Sequence, residues 1–191
     1  MVILGGRFST ALGWAASLHR SQKRKGTQIP YLGHLLAVAS LAIEHGADED
    51  TAIAALLHDA VEDQGGQPTA DRIRELFGDR VCAIVLECTD SFTDPKPPWA
   101  PRKEAYVARL ASASPEARLV SACDKLHNAR AILSDYREIG DSLWDRFSGG
   151  RDGTLWYYRA VLDALREHTR SPLLDELGRV VSEIEAAART P

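Results

Sequence analysis

Paired cysteines, long apolar runs, an excess of positive charge and β-type alternation are all missing from this chain, and each absence removes a class of protein. Cys82, Cys88 and Cys123 are few, odd in number and without a Cys-x-x-Cys pair. They fit buried thiols in a reducing compartment, not a disulfide framework or a zinc knuckle. No apolar stretch approaches the roughly 20 residues of a membrane span. The first six residues, Met1 to Gly6, are too short and too uncharged for a signal sequence, so a cytoplasmic chain is expected, with no membrane partner. A formal charge of −4 leaves no broad basic surface for a nucleic-acid backbone, although local basic clusters could still hold a small phosphorylated ligand. No segment alternates with period two, and no repeat, low-complexity run or domain boundary stands out. The expectation is one all-α domain, a helical bundle over residues 1–191.

What is present is a succession of helix signals. A first helix is expected from about Ser9 or Thr10, ending in the basic segment His19-Arg20-Ser21-Gln22-Lys23-Arg24-Lys25. That run reads either as a solvated helix end beside the negative pole of the macrodipole or as an anion-binding rim. Tyr31 to His45 reads as a second helix, apolar over nearly its whole circumference and therefore central, with Gly46 closing it. His34 falls inside its apolar arc, where a histidine is either a hydrogen-bonded core residue or a ligand. Asp48 should cap a helix running on to Gly65-Gly66, Thr69 a short one from Ala70 to Phe77, and another should follow from Arg80 to about Ser91. Asp94-Pro95-Lys96-Pro97-Pro98-Trp99-Ala100-Pro101 should not be helical, because four prolines remove donors and fix φ; its length suggests a rim or lid. Ser114-Pro115 and Ser171-Pro172 each read as a cap followed by proline in the first turn, and Gly149-Gly150 separates the helices between them.

The third of these helices carries the chemistry. At 100° per residue, Ile53, Ala54, Leu56, Leu57, Ala60 and Val61 share one arc, while His58, Asp59, Glu62 and Asp63 share the other. No lysine or arginine stands among those four, and like charges one turn apart cost a few tenths of a kcal/mol unless a cation covers them. The arc alone reads as a solvated acidic face or as a site for Mn, Fe or Zn, which His and Asp both ligate.

Taken in order, Pro30-Tyr31-Leu32-Gly33-His34, Ala55-Leu56-Leu57-His58-Asp59-Ala60-Val61-Glu62-Asp63, Phe77-Gly78 and Asp124-Lys125-Leu126-His127-Asn128-Ala129-Arg130 resemble the HD-domain phosphohydrolases. More closely, they resemble the hydrolase domain of the RelA/SpoT alarmone enzymes and the stand-alone, Mesh1-like small alarmone hydrolases. The resemblance covers roughly residues 8–170. It implies His34, His58, Asp59 and Asp124 as ligands of a divalent metal, usually Mn²⁺. Glu62 and Asp63 become the acidic pair that positions or deprotonates the attacking water, and Arg24 and Lys25 the basic pair at the nucleoside end. Asn128 would face ribose or phosphates, with Lys103 and Arg151 as phosphate-contacting cations. The implied reaction removes the 3′-pyrophosphate of ppGpp or pppGpp. With no synthetase, TGS or ACT-like region after the last helix, degradation is the expected direction. Ser121-Ala122-Cys123 departs from the Lys-Leu-Ala common before the last metal-binding aspartate. Two other functions fit parts of the pattern: an HD phosphatase for another nucleotide, such as NADPH or a 5′-nucleotide, and a binding protein that senses an alarmone without cleaving it.

Overall fold

The computed structural model describes residues 3–91 and 95–189; Asp94, at the head of the proline run, lies outside them. The described residues are helical, without a strand, in the order α1 (Gly6–Leu18), α2 (Leu32–Glu44), α3 (Glu49–Leu57), α4 (Ala60–Asp63), α5 (Gln67–Phe77), α6 (Asp79–Cys88), α7 (Trp99–Leu110), α8 (Pro115–Ile139), a 3₁₀ turn (Gly140–Arg146), α9 (Gly150–Arg166) and α10 (Pro172–Ala187). They group into two compact units, Met1–Pro97 with Ala113–Cys123, and Pro98–Ser112 with Asp124–Pro191.

The first unit is built around α3, in which every residue from Thr51 to Leu57 is buried. It packs against α1, α2 and α6. The apolar circumference of α2 made that helix the expected centre, yet Leu36 is 43% exposed; the shorter, alanine-rich α3 lets three neighbours approach and takes the central place. Asp48 caps α3 as expected, its carboxylate accepting from the Thr51 N–H at 2.9 Å. The first helix starts at Gly6, ahead of Ser9. The Gly5 N–H donates to Glu49 at 2.6 Å, and Arg7 to Asp50 at 2.7 Å and to the Phe77 carbonyl at 2.6 Å, so tertiary bonds replace a side-chain cap. Thr69 is no cap either. Gly65 and Gly66 turn the chain with φ of 126° and 61°, α5 opens at Gln67 with Pro68 in its first turn, and the Thr69 hydroxyl donates back to the Gln64 carbonyl at 2.7 Å. A Cβ on Gly65 would stand 2.9 Å from that hydroxyl. The sixth helix ends at Cys88, with Thr89 already extended.

Arg80 ties three elements of this unit together. Its guanidinium donates to Asp48 at 2.6 Å, Asp50 at 3.2 Å and Glu116 at 2.8 Å. Burial opposes ionisation of Asp48, but Thr51 and Arg80 outweigh it and hold the carboxyl below its ordinary range. The Glu116 carboxyl is likewise held down, by its own N–H and then by Arg80. Both groups therefore contribute stability that is complete above the ordinary carboxylate pKa of about 4 and is lost as pH falls through the lowered folded values. The partners are half-exposed, so Arg80→Ala should cost only about 1 kcal/mol at pH 7. The melting difference from wild type should close on acidification below pH ~4; a difference that persists there would assign the effect to packing.

In the second unit, α9 packs against α7, α10 and the 3₁₀ turn. The seventh helix begins at Trp99, inside the stretch expected to be irregular. Pro101 falls in its first turn, where a missing N–H costs nothing. Trp99 seats on the glycine face of α9: a Cβ at Gly149 would stand 2.7 Å from the indole, and one at Gly153 3.0 Å. Ser171 caps α10, accepting from the Leu174 N–H at 3.3 Å.

Candidate active site

The expected continuous helix through His58 is broken. The backbone leaves α3 after Leu57, Asp59 sits at φ −99°, ψ −2°, and α4 restarts at Ala60. The cause is local: His58 Nδ1 lies 2.8 Å from the Ala55 carbonyl, so the imidazole takes an oxygen that helix bonding would use. Because a carbonyl only accepts, Nδ1 carries the proton and Nε2 presents its lone pair. That second bond is the one that orients metal-ligating histidines. The break also turns His58 inward, leaving it 3% exposed, where a solvated face would have left it open.

His58 Nε2 faces Asp59 Oδ2 at 3.0 Å, and His34 Nε2, from α2, faces the same oxygen at 3.6 Å. One ligand atom from each of the three lies within 4.8 Å of the others. Tyr31 donates its hydroxyl to Asp59 Oδ2 at 2.5 Å. Two imidazoles and a carboxylate with fixed orientation, and no thiolate, fit a borderline divalent cation.

Glu62 and Asp63 follow on α4. Glu62, 17% exposed, accepts from the Asp90 N–H at 3.2 Å and from Lys96 Nζ at 2.7 Å. Lys96 also stands 3.7 Å from Asp63, whose other oxygen accepts from Gln22 Nε2 at 2.8 Å. Burial, then the charge of Asp59, raises the Asp63 carboxyl above its ordinary range, with Glu62 adding to it; Gln22 and Lys96 pull the other way.

The basic run is neither a helix end nor fully solvated. α1 stops at Leu18 because His19 turns into the core, 1% exposed, and residues 22–31 form a tight loop. The Arg24 N–H donates to the Ile29 carbonyl and the Tyr31 N–H to the Gln22 carbonyl, both at 2.9 Å, across Gly26 at φ 72°. The loop lays the Arg24 guanidinium over the Tyr31 ring, 5.9 Å from its centroid, while Lys25 is exposed.

The remaining sequence-derived candidates belong to the second unit. Asp124 is 7% exposed; its Oδ1 accepts from Asn128 Nδ2 and its Oδ2 from Lys125 Nζ, each at 2.5 Å. Burial opposes the Lys125 charge, but Asp124 outweighs it and holds the ammonium well above the usual lysine range. Lys103 Nζ lies over the Tyr157 ring, 4.7 Å from its centroid, and Arg151 pairs with the adjacent Asp152 at 2.9 Å.

Sequence reasoning missed Lys96 and Gln22 and assigned Tyr31 no role. For Lys96 a signal existed: a single cation clamped between Pro95 and Pro97 has its backbone fixed on both sides.

A family model described as "HD domain" matches residues 11–155. The chain belongs to the HD-domain family. HD-domain hydrolases use divalent metals, and a His/Asp cluster is present here. Within that class, the similarity is to Mesh1 proteins named guanosine-3′,5′-bis(diphosphate) 3′-pyrophosphohydrolase. The Drosophila melanogaster protein is 36% identical over 129 residues, 66% of this chain and 69% of its own length. The human protein is 39% identical over 125 residues, 64% and 67% respectively. A solved structure described as a metazoan ortholog of SpoT that hydrolyses ppGpp superposes with a TM-score of 0.77 at 29% identity, covering 94% of this chain and 96% of that one.

Proposed function

We propose that this chain is a metal-dependent (p)ppGpp 3′-pyrophosphohydrolase, releasing the 3′-pyrophosphate of ppGpp or pppGpp to leave GDP or GTP. The observation that carries it is the His34–His58–Asp59 cluster followed one turn on by Glu62 and Asp63, with Lys96 2.7 Å from Glu62, in a chain at least 36% identical to the fly and human proteins that bear that name. The HD-domain match, residues 11–155, includes residues of both units, which supports reading that span as one functional domain.

His34, His58, Asp59 and Asp124 would hold the cation, Mn²⁺ being the ion the family resemblance favours. When bound it supplies Lewis acidity, drawing the pKa of a water down towards about 7 and polarising a phosphate oxygen. The protein's own groups do the rest. Tyr31 fixes Asp59, and the Ala55 carbonyl fixes the His58 ring. Glu62, held by the Asp90 N–H and Lys96, takes the proton of the attacking water, with Asp63 beside it. Lys96 neutralises charge on the pyrophosphoryl group as it passes from the ribose 3′-oxygen, which leaves with GDP or GTP, to the attacking water, and Asn128, Lys103 and Arg151 are the further candidates for the phosphates and ribose. Arg24 and Lys25 take the nucleoside end, the guanidinium already stacked on Tyr31 and able to offer its fork of donors to a purine. Partners are then small nucleotides in the cytoplasm. Among the described residues, no helix is long and apolar enough to cross a membrane.

Two measurements test this reading. The first is turnover of a panel of ppGpp, pppGpp, NADPH and 5′-nucleotides by purified protein reloaded with Mn²⁺, with products separated by anion exchange. GDP or GTP plus pyrophosphate is expected; preference for NADPH or a 5′-nucleotide, or ppGpp bound without turnover, overturns it. The second is Arg24→Ala. Losing one contact worth about 1–3 kcal/mol should raise KM for ppGpp about ten-fold or more, with metal content unchanged and kcat affected less. A generic phosphatase substrate, having no purine, should barely respond. Equal losses on both substrates would move Arg24 to the phosphates or the fold.

A further inference from the structure

The loop between α1 and α2 also carries a polar hub. The carboxylate of Asp63 only accepts, so the Gln22 atom 2.8 Å from Asp63 Oδ2 is Nε2, the donor. The other carboxamide atom is then Oε1, and two groups converge on it: Gln64 Nε2 at 2.6 Å and His19 Nδ1 at 2.7 Å. Rotating the amide by 180° would set its oxygen against the Asp63 carboxylate, so that contact fixes which way it faces, and His19 Nδ1 and Gln64 Nε2 are then the donors to Oε1. The orientation is therefore locked. Its anchor is itself fixed, since His19 is 1% exposed and its ring stacks on Tyr31 at 5.6 Å between centroids and 23° between planes.

We infer that Gln22 is a positioning residue for the reaction: it holds Asp63 by one committed N–H, so that the acidic pair on the short α4 keeps a single arrangement. The need for such a clamp is plain from the surroundings. Asp59, Glu62 and Asp63 crowd three carboxylates within five residues, α4 is only four residues long, and Lys96, which balances them, comes from the proline run. Asp63 is pushed towards its neutral form by burial and by Asp59, and the Gln22 bond opposes that. Gln64, at the C-terminal end of α4, and His19, at the C-terminal end of α1, thus bear on Asp63 through one amide.

This inference rests on the reading of Asp63 as part of the reacting machinery, and the test separates the two. Gln22→Glu keeps the size and an acceptor for both His19 and Gln64 but removes the donor to Asp63; Gln22→Leu removes all three bonds without adding a charge. If Gln22 positions Asp63, both variants should lose kcat by about 10–100-fold, as small misplacements near a reacting centre do. KM for ppGpp, bound Mn²⁺ by elemental analysis and the far-ultraviolet circular dichroism spectrum should stay at wild-type values. Combining Gln22→Leu with Asp63→Asn should then lose no more than Asp63→Asn alone. If Gln22→Glu keeps the wild-type kcat, the residue only braces the loop and the inference fails. If the losses in the double variant multiply, Gln22 does not act through Asp63 and the inference fails equally. Full activity of Asp63→Asn would instead overturn the role given to Asp63, a result visible before any Gln22 variant is made.

Discussion

His58→Ala should abolish both metal retention and turnover while leaving the helical content in place. The expected loss is near-complete because the imidazole has two jobs. It offers Nε2 to the site, 3.0 Å from Asp59, and through Nδ1 on the Ala55 carbonyl it stabilises the backbone break that brings Asp59 round. Alanine removes the proposed ligand and releases that carbonyl to ordinary helix bonding, so α3 and α4 can run on and Asp59 would drift towards the solvent side. Partners that merely orient a ligand are worth about 10–100-fold in affinity or activity; a ligand that also shapes the backbone should exceed that range. The measurement is bound Mn²⁺ by elemental analysis after chelation and reloading, alongside ppGpp turnover and a thermal melt. Wild-type activity after reloading would remove His58 from the metal site. The core around it is otherwise the buried run from Thr51 to Leu57, which the substitution leaves untouched, so a cooperative melt within a few degrees of wild type is expected.

How much of this was legible beforehand depends on the range of the interaction. Caps that bond three residues ahead could be read directly: Asp48 to Thr51, Ser114 to Ala117 and Ser171 to Leu174 all hold. So could burial of His34 from its place in an apolar arc, because helical periodicity carries that information without knowledge of the partner. The break at His58 was not legible, since it depends on whether a side chain or the next N–H takes the Ala55 carbonyl, and a helical wheel assumes the second. The start of α1 was misplaced for a related reason: Ser9 and Thr10 are good caps locally, but Gly5 and Arg7 find partners some forty residues and more away on α3 and beyond. The prolines before α7 gave the opposite error. They exclude a helix interior, yet Pro101 sits in a first turn that has no use for its N–H. Candidate ligands and carboxylates were visible as residue types at helical spacing, whereas Lys96 and Gln22 reach Glu62 and Asp63 from loops whose course no periodicity describes.

Glu62→Gln tests the division of labour inside the acidic cluster, and it is expected to keep the metal while losing about 10²–10⁴-fold in kcat, the usual worth of a positioned general base. The geometry supports the first half of that statement. Glu62 has its oxygens held by the Asp90 N–H and by Lys96. A glutamine is nearly isosteric and keeps an oxygen for one of those donors, so Asp59, three residues back at the N-cap of α4, need not move. The second half follows from chemistry: an amide cannot accept a proton at neutral pH, so the water is held but not activated. The substitution also strands Lys96, whose ammonium keeps Asp63, 3.7 Å away, as its remaining carboxylate in the pair, which should limit the loss by letting Asp63 stand in part for its neighbour. Single-turnover rates with saturating ppGpp, set beside Mn²⁺ content, decide the matter. Loss of the ion with the substitution would move Glu62 among the ligands, and a kcat within a factor of about three of wild type would pass the proton to another group, with Asp63 the first to examine.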